Sequence, residues 1–167
     1  MKRLKNKEEI SNPFIVEIET LYNVEFEMAK KIIKKLQRKY RVKFPQGEIG
    51  FITLHIHSAR NGRKLSNTIK YSYLANRIVA HIEKRFNAKI NKRSLDYARF
   101  LSHIRFTIER ILTDTLLKND LIDAIKESYP ISYEIAEEVS KIIETSLDKK
   151  VQEDENAYMA MHIERFR

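Results

Sequence analysis

The sequence contains no cysteine, three glycines and three prolines in 167 residues. Without cysteine there is no disulfide framework, no thiol nucleophile and no Cys-based metal site, and the composition agrees with a cytoplasmic protein. So little glycine and proline leaves few turn signals to bound many short strands, which favours long helices joined by short connections. No apolar run approaches the length of a membrane span, and residues 1–10 are too charged for a secretory leader. The glycines form no phosphate-cradling loop, and no serine sits in a nucleophile-elbow pattern. The expectation is therefore a protein that is not an enzyme and needs no cofactor.

The sequence has 33% charged and 43% hydrophobic residues, with a net charge of +9. That charge is unevenly placed. Residues 1–112 carry 25 Lys and Arg against 10 Asp and Glu, whereas residues 113–167 carry 7 against 13. A basic surface of this kind attracts RNA, a phosphorylated protein or an acidic partner. Direct RNA binding by the basic stretch is a rival reading, to be supported by steeply salt-dependent affinity. The aromatic residues fall at helical core spacing and form no stacking platform.

An ungapped internal repeat is the most informative feature. Shifted by 107, residues 18–60 fall on 125–167, with ten identities in 43 positions, among them Ile18/Ile125, Tyr22/Tyr129, Ala29/Ala136, Glu48/Glu155, His55/His162 and Arg60/Arg167. Phe26/Tyr133 and Phe51/Tyr158 are conservative. The same offset places Arg110 on Arg3 and His103 before Met1. The expectation is two homologous domains, residues 1–62 holding the C-terminal part of the first and residues 66–167 the second, with residues 61–66 as linker.

Asn12-Pro13 reads as a helix start, Asn as cap and Pro in the first turn. Residues 25–38 repeat apolar side chains at Met28, Ile32 and Leu36, an amphipathic helix. Residues 44–47 read as a loop; 48–60 is ambiguous between strand and helix because Ile52 and Thr53 are β-branched, and the spacing of Ile52, His55, Ile56 and Ala59 tips it to a helix. Residues 74–85, 94–112, 121–127, 131–147 and 155–166 complete an all-α protein in two bundles.

Five histidines stand at 55, 57, 81, 103 and 162. His55 and His162 are repeat equivalents, and His103 lies on another helix of the second copy. His55 and His57, two apart on a helix, point to different faces, and no ligand motif accompanies them, so no metal site is expected. A neutral imidazole, with an ordinary pKa near ~6.5, is a nucleophile at cellular pH.

The motifs Asn12-Pro13-Phe14, residues 45–59 ending in His55-Ile56-His57-Ser58-Ala59, Ser102-His103-Ile104-Arg105-Phe106, Tyr129-Pro130, and Tyr158-Met159-Ala160-Met161-His162-Ile163 resemble the PTS regulation domains of the BglG/SacY family of transcription antiterminators, the glucose-type members most of all. The resemblance covers nearly the whole chain. It implies helical-bundle domains, each with two histidines from different helices. It further implies that HPr and a sugar-specific enzyme II of the phosphotransferase system phosphorylate them, and that this alters homodimer packing and RNA binding by a separate N-terminal domain. Carried over, the phosphorylation sites are His55, His103 and His162, with His55 lacking its partner in this chain. Arg60, Arg105 and Arg110, nearest in sequence, are candidates to neutralise a phosphoryl group. The alternative is the same domains within a larger DNA-binding activator of the mannitol or levan type.

Overall fold

A computed structural model describes residues 11–62 and 65–167, and among these every regular element is an α-helix. They are α1 (Ile15–Leu21), α2 (Asn23–Tyr40), α3 (Gln46–Arg60), α4 (Leu65–Phe86), α5 (Leu95–Leu112), α6 (Ile122–Ser128), α7 (Pro130–Leu147) and α8 (Glu153–Glu164). The chain divides into two compact units, residues 1–73 and 74–167, and the division falls within α4.

The 107-residue repeat is a structural repeat. Helices α1 and α2 map onto α6 and α7 residue for residue, and α3 begins where α8 begins. Tyr22 and Tyr129 interrupt the helices at the same place, with φ −129° and −132°. In the second unit Pro130 opens the next helix there, as a residue without an N–H can. In the first unit Asn23 takes that position, so the interruption does not depend on proline. Arg41 and Asp148 end α2 and α7 in the left-handed region, with φ 53° and 54°.

The correspondence reaches beyond the matched sequence. Asn12 Oδ1 accepts the Phe14 N–H at 3.0 Å, and Asn119 Oδ1 accepts the Leu121 N–H at 3.0 Å. Each is an Asx turn two residues long, so Asn12 and Pro13 precede the helix and α1 starts only at Ile15. The other boundaries follow the periodicity closely, with two differences. Gln46 and Gly47, read as loop, form the first turn of α3 after an extended Pro45. Helix α4 begins nine residues before Leu74, so of the linker 61–66 only Asn61 and Gly62 form a turn, residues 63–64 lying outside the described residues.

In the first unit, Ile18 and Tyr22 of the α1 region, Phe26 of α2 and Leu54 of α3 form a buried cluster, with Phe14, Ile15, Leu21, Ile49 and Leu65 against it. In the second, α8 packs against α5, α6 and α7. Its wholly buried side chains include Ile78 and Ile82 of α4, Phe100, Leu101 and Ile104 of α5, Ile135 and Ile143 of α7, and Met159 and Ile163 of α8. Ser94 caps α5 by accepting the Tyr97 N–H at 3.1 Å, a contact of about 1 kcal/mol. His81 and Arg85 of α4 both reach Glu138 of α7, which fixes α4 along α7.

One contrast between the copies is large. Ile135 and Val139 on α7 are fully buried, whereas their equivalents Met28 and Ile32 on α2 are 42% and 40% exposed. In the second unit α4 also meets α7, through Glu138 and Glu134.

Candidate functional site: a pair of facing histidines

Helix α5 presents Phe100, Leu101, Ile104, Ile108 and Ile111 to the core. The same helix carries His103, Thr107 and Arg110, four and then three residues apart, along one adjoining face. Helix α8 lies against it and brings Glu155, Tyr158 and His162 opposite. The His103 and His162 rings are 5.0 Å apart between centroids and inclined by 35°, and Tyr158 lies 5.9 Å from His103. Two histidines that are 59 positions apart in the chain therefore share one site.

Behind His103 is a polar cluster. Arg110 grips Glu155 twice, Nε to Oε1 at 2.5 Å and one Nη to Oε2 at 2.8 Å. The Thr107 hydroxyl donates to Glu155 Oε2 at 2.7 Å and stands 3.3 Å from both His103 Nε2 and an Arg110 Nη. Glu155 Oε2 is itself 3.6 Å from His103 Nε2, and its side chain is only 4% exposed. A carboxylate so buried is tolerated because a guanidinium and a hydroxyl satisfy both of its oxygens.

Both imidazoles are held neutral. Burial pushes His103 down to about 4, and the His162 ring and Arg110 act in the same direction while Glu155 opposes them. Burial is the largest of these influences, followed by the His162 ring. Burial also lowers His162, helped by Arg99 and Arg165 and opposed by Asp96. Two uncharged imidazoles keep their lone pairs at physiological pH and can act as nucleophiles.

The first unit is built differently. His55 is exposed on α3, and among the described residues no second histidine ring faces it. The buried histidine there is His57, its ring 4.1 Å from that of Tyr22 and its Nδ1 3.5 Å from Glu25 Oε1. Arg60 donates to the same Glu25 oxygen at 2.9 Å. The repeat equivalents of Glu25, His57 and Arg60 are Ser132, Glu164 and Arg167. Ser132 donates to Glu164 at 2.6 Å, and Arg167 reaches it at 3.4 Å. A polar link between the same two helices is thus kept in both units with the acid moved from one helix to the other. His57 belongs to that link.

Of the three nominated arginines, Arg110 alone adjoins the histidine pair. Arg60 is bound to Glu25, and Arg105 lies over the Phe106 ring at 4.4 Å. Sequence reasoning did not single out Thr107, Arg99 or Arg165, and it weighed Glu155 only as a repeat identity and as a carboxylate without a metal-ligand motif. The signals were there: the i, i+4, i+7 spacing of His103, Thr107 and Arg110, and the pairing of Glu155 with Glu48. Arg3, the repeat equivalent of Arg110, lies outside the described residues.

Among the described residues no three His, Asp or Glu side chains gather as metal ligands. The cleft beside Arg110, Lys150 and Glu155 is about 110 Å³, below the roughly 300 Å³ of a small-molecule site, and a wider recess of about 450 Å³ lies along Glu83, Lys84, Asn87 and Lys89. Among the described residues no helix is long and apolar enough to cross a membrane.

The PRD domain model matches residues 1–59 and again 76–166. The PtsGHI operon antiterminator of Bacillus subtilis (strain 168) is 40% identical over 167 residues, taking in 99% of this chain and 59% of that protein. Protein GlcT of Staphylococcus saprophyticus is 36% identical, with 99% and 59% covered, and the GlcA/glcB genes antiterminator of Staphylococcus carnosus 32%, with 99% and 58%. The chain spans about three-fifths of the length of these relatives. All-α, repeated once and matched in both copies, the chain belongs to the PRD domain family.

Proposed function

We propose that this chain is the regulatory portion of a sugar-responsive transcription antiterminator, switched by reversible phosphorylation of histidine. The observation that carries this reading is the facing of His103 and His162 at 5.0 Å, both desolvated and neutral. A phosphoryl group on either ring brings roughly −1.5 to −2 charges and three acceptor oxygens into a half-buried contact between two helices. That charge is repelled by Glu155 and attracted by Arg110, Arg99 and Arg165, so it competes with the existing packing of α5 on α8. A site of this kind biases two packings against each other, and typical couplings are about 1–3 kcal/mol.

The phosphoryl donors in this reading are HPr and a sugar-specific enzyme II, acting in the cytoplasm. The packing that changes is that of a homodimer, and RNA is held by a domain outside this sequence. The relatives' names as antiterminators support that placement. His55, exposed on α3 and equivalent to His162, is the acceptor proposed for the first unit.

Incubation with phosphoenolpyruvate, enzyme I, HPr and the cognate enzyme II tests the reading. Intact-mass analysis should show acid-labile phosphate that is reduced in H103A and H162A. Absence of any phosphorylated species would overturn it. Light scattering should show that H162D or H103D changes the monomer–dimer balance more than H81A does.

A further inference from the structure

The Thr107 hydroxyl has one hydrogen and three polar neighbours. Glu155 is paired with Arg110 through both oxygens, so it only accepts, and the Thr107 hydrogen must go to its Oε2 at 2.7 Å. The Thr107 oxygen is then left with lone pairs. They receive an Arg110 N–H at 3.3 Å and the N–H of His103 Nε2 at 3.3 Å. The Glu155 carboxylate, 3.6 Å from the same ring nitrogen, favours a proton there as well. His103 Nδ1 has no hydrogen bond among the described residues and keeps the free lone pair. The His162 ring also has none, so it carries no comparable constraint.

We propose that Thr107, oriented by Glu155 and Arg110, fixes His103 as the Nε2–H tautomer and thereby directs phosphorylation to Nδ1. The inference rests on the reading of His103 as a phosphoryl acceptor given above. In the transfer, the Nδ1 lone pair attacks the phosphorus of a donor protein's phosphohistidine, whose ring is protonated on its other nitrogen. The Nδ1–P bond forms as the donor N–P bond breaks, and the bonding pair returns to the donor ring, which leaves as neutral imidazole. The positive charge passes to His103, now substituted at Nδ1 and still protonated at Nε2. Thr107 accepts that N–H and Glu155 faces the charge, an arrangement that favours the product ring as well as the tautomer. Thr107 is thus a positioning residue: it touches the nucleophile and not the phosphoryl group.

Long-range 1H–15N correlation spectra of the unphosphorylated, 15N-labelled chain at pH 7.5 read the tautomer directly. His103 should show a protonated Nε2 and an unprotonated Nδ1. T107V, if its helical circular dichroism is unchanged, should lose the preference, and T107S should restore it. After incubation with phosphoenolpyruvate, enzyme I, HPr and the cognate enzyme II, 15N–31P coupling should appear at Nδ1. A His103 protonated on Nδ1, an unchanged tautomer in T107V, or phosphate on Nε2 would overturn this inference and leave the phosphorylation reading standing. Absence of any phosphate would overturn the phosphorylation reading and this inference with it.

Discussion

Arg110 and Glu155, 45 residues apart in sequence, form a two-point ion pair between α5 and α8, with Nε and one Nη each on a carboxylate oxygen. Glu155 is nearly inaccessible and Arg110 only partly exposed, so the two partners are not interchangeable in their consequences. Removing the arginine strands a negative charge in the interior. Removing the glutamate charge leaves an arginine that can turn toward water.

R110M should therefore destabilise the chain by about 3–5 kcal/mol, the cost of an uncompensated buried charge. E155Q keeps an acceptor for both Thr107 and Arg110 and should lose about 1–2 kcal/mol. The double variant R110M/E155M should recover most of the loss of R110M. Urea denaturation of the three variants measures this order, and an R110M as stable as the parent would contradict the buried-charge account.

The pH dependence of stability has a definite sign. His103 titrates near 4 in the fold and near 6.5 in an open chain, and His162 is shifted the same way. Between these values the unfolded chain binds more protons than the folded one, so acid favours unfolding. The His103 contribution is flat above pH 6.5 and worsens as pH falls toward 4, by no more than about 3 kcal/mol. The difference in urea stability between the parent and H103Q, followed from pH 7 to pH 4, isolates it from the carboxylates. A parent that gains stability relative to H103Q on acidification would reverse the sign.

Gly50 lies in α3, where alanine would ordinarily be favoured by about 0.5–1 kcal/mol. A Cβ there would sit 2.6 Å from Asn12 Nδ2 and 2.9 Å from Ile15 Cδ1. The isoleucine end can rotate away, but the Asn12 amide is held by the Phe14 N–H on its oxygen. G50A should displace Asn12 and lose about 1–2 kcal/mol net, through the broken Asx turn. Thermal unfolding of the whole chain reads the sign, and a stabilised G50A would show that Asn12 yields freely.

The two copies should respond differently at equivalent positions. I135A empties a fully buried site on α7 and should cost about 2–5 kcal/mol. M28A, at the matching place on α2, truncates a side chain that is 42% exposed and should cost below about 1 kcal/mol. Chemical denaturation of the pair checks this, and equal losses would mean that the α2 face is covered in solution.

Much of the fold was legible because helical burial leaves a periodic trace. Phe100, Ile104 and Ile111 mark α5 at helical spacing, and Ser94 marks its start through a preference that acts within one turn. The offset of 107 marked the repeat, and in the structure the equivalent helices end alike, at the left-handed residues Arg41 and Asp148. Where the boundaries differ, a local competitor decided them. Asn12 turns onto Phe14, as Asn119 does onto Leu121, and the helix starts later. Gln46 and Gly47 join α3 because an extended Pro45 is a compatible residue before a helix.

The sequence by itself determined the helices, the repeat and the equivalence of His55 with His162, since each is a property of neighbours along the chain or of one constant offset, while His103 was nominated through the family resemblance. Only the tertiary structure decided which histidine meets which. The 5.0 Å pairing of His103 with His162, the support of Glu155 and Thr107, and the exposure of His55 beside a buried His57 all depend on helix against helix. The physical reason is that helix periodicity fixes a side chain's direction around its own axis, while distance, desolvation and charge compensation arise only where two axes pack.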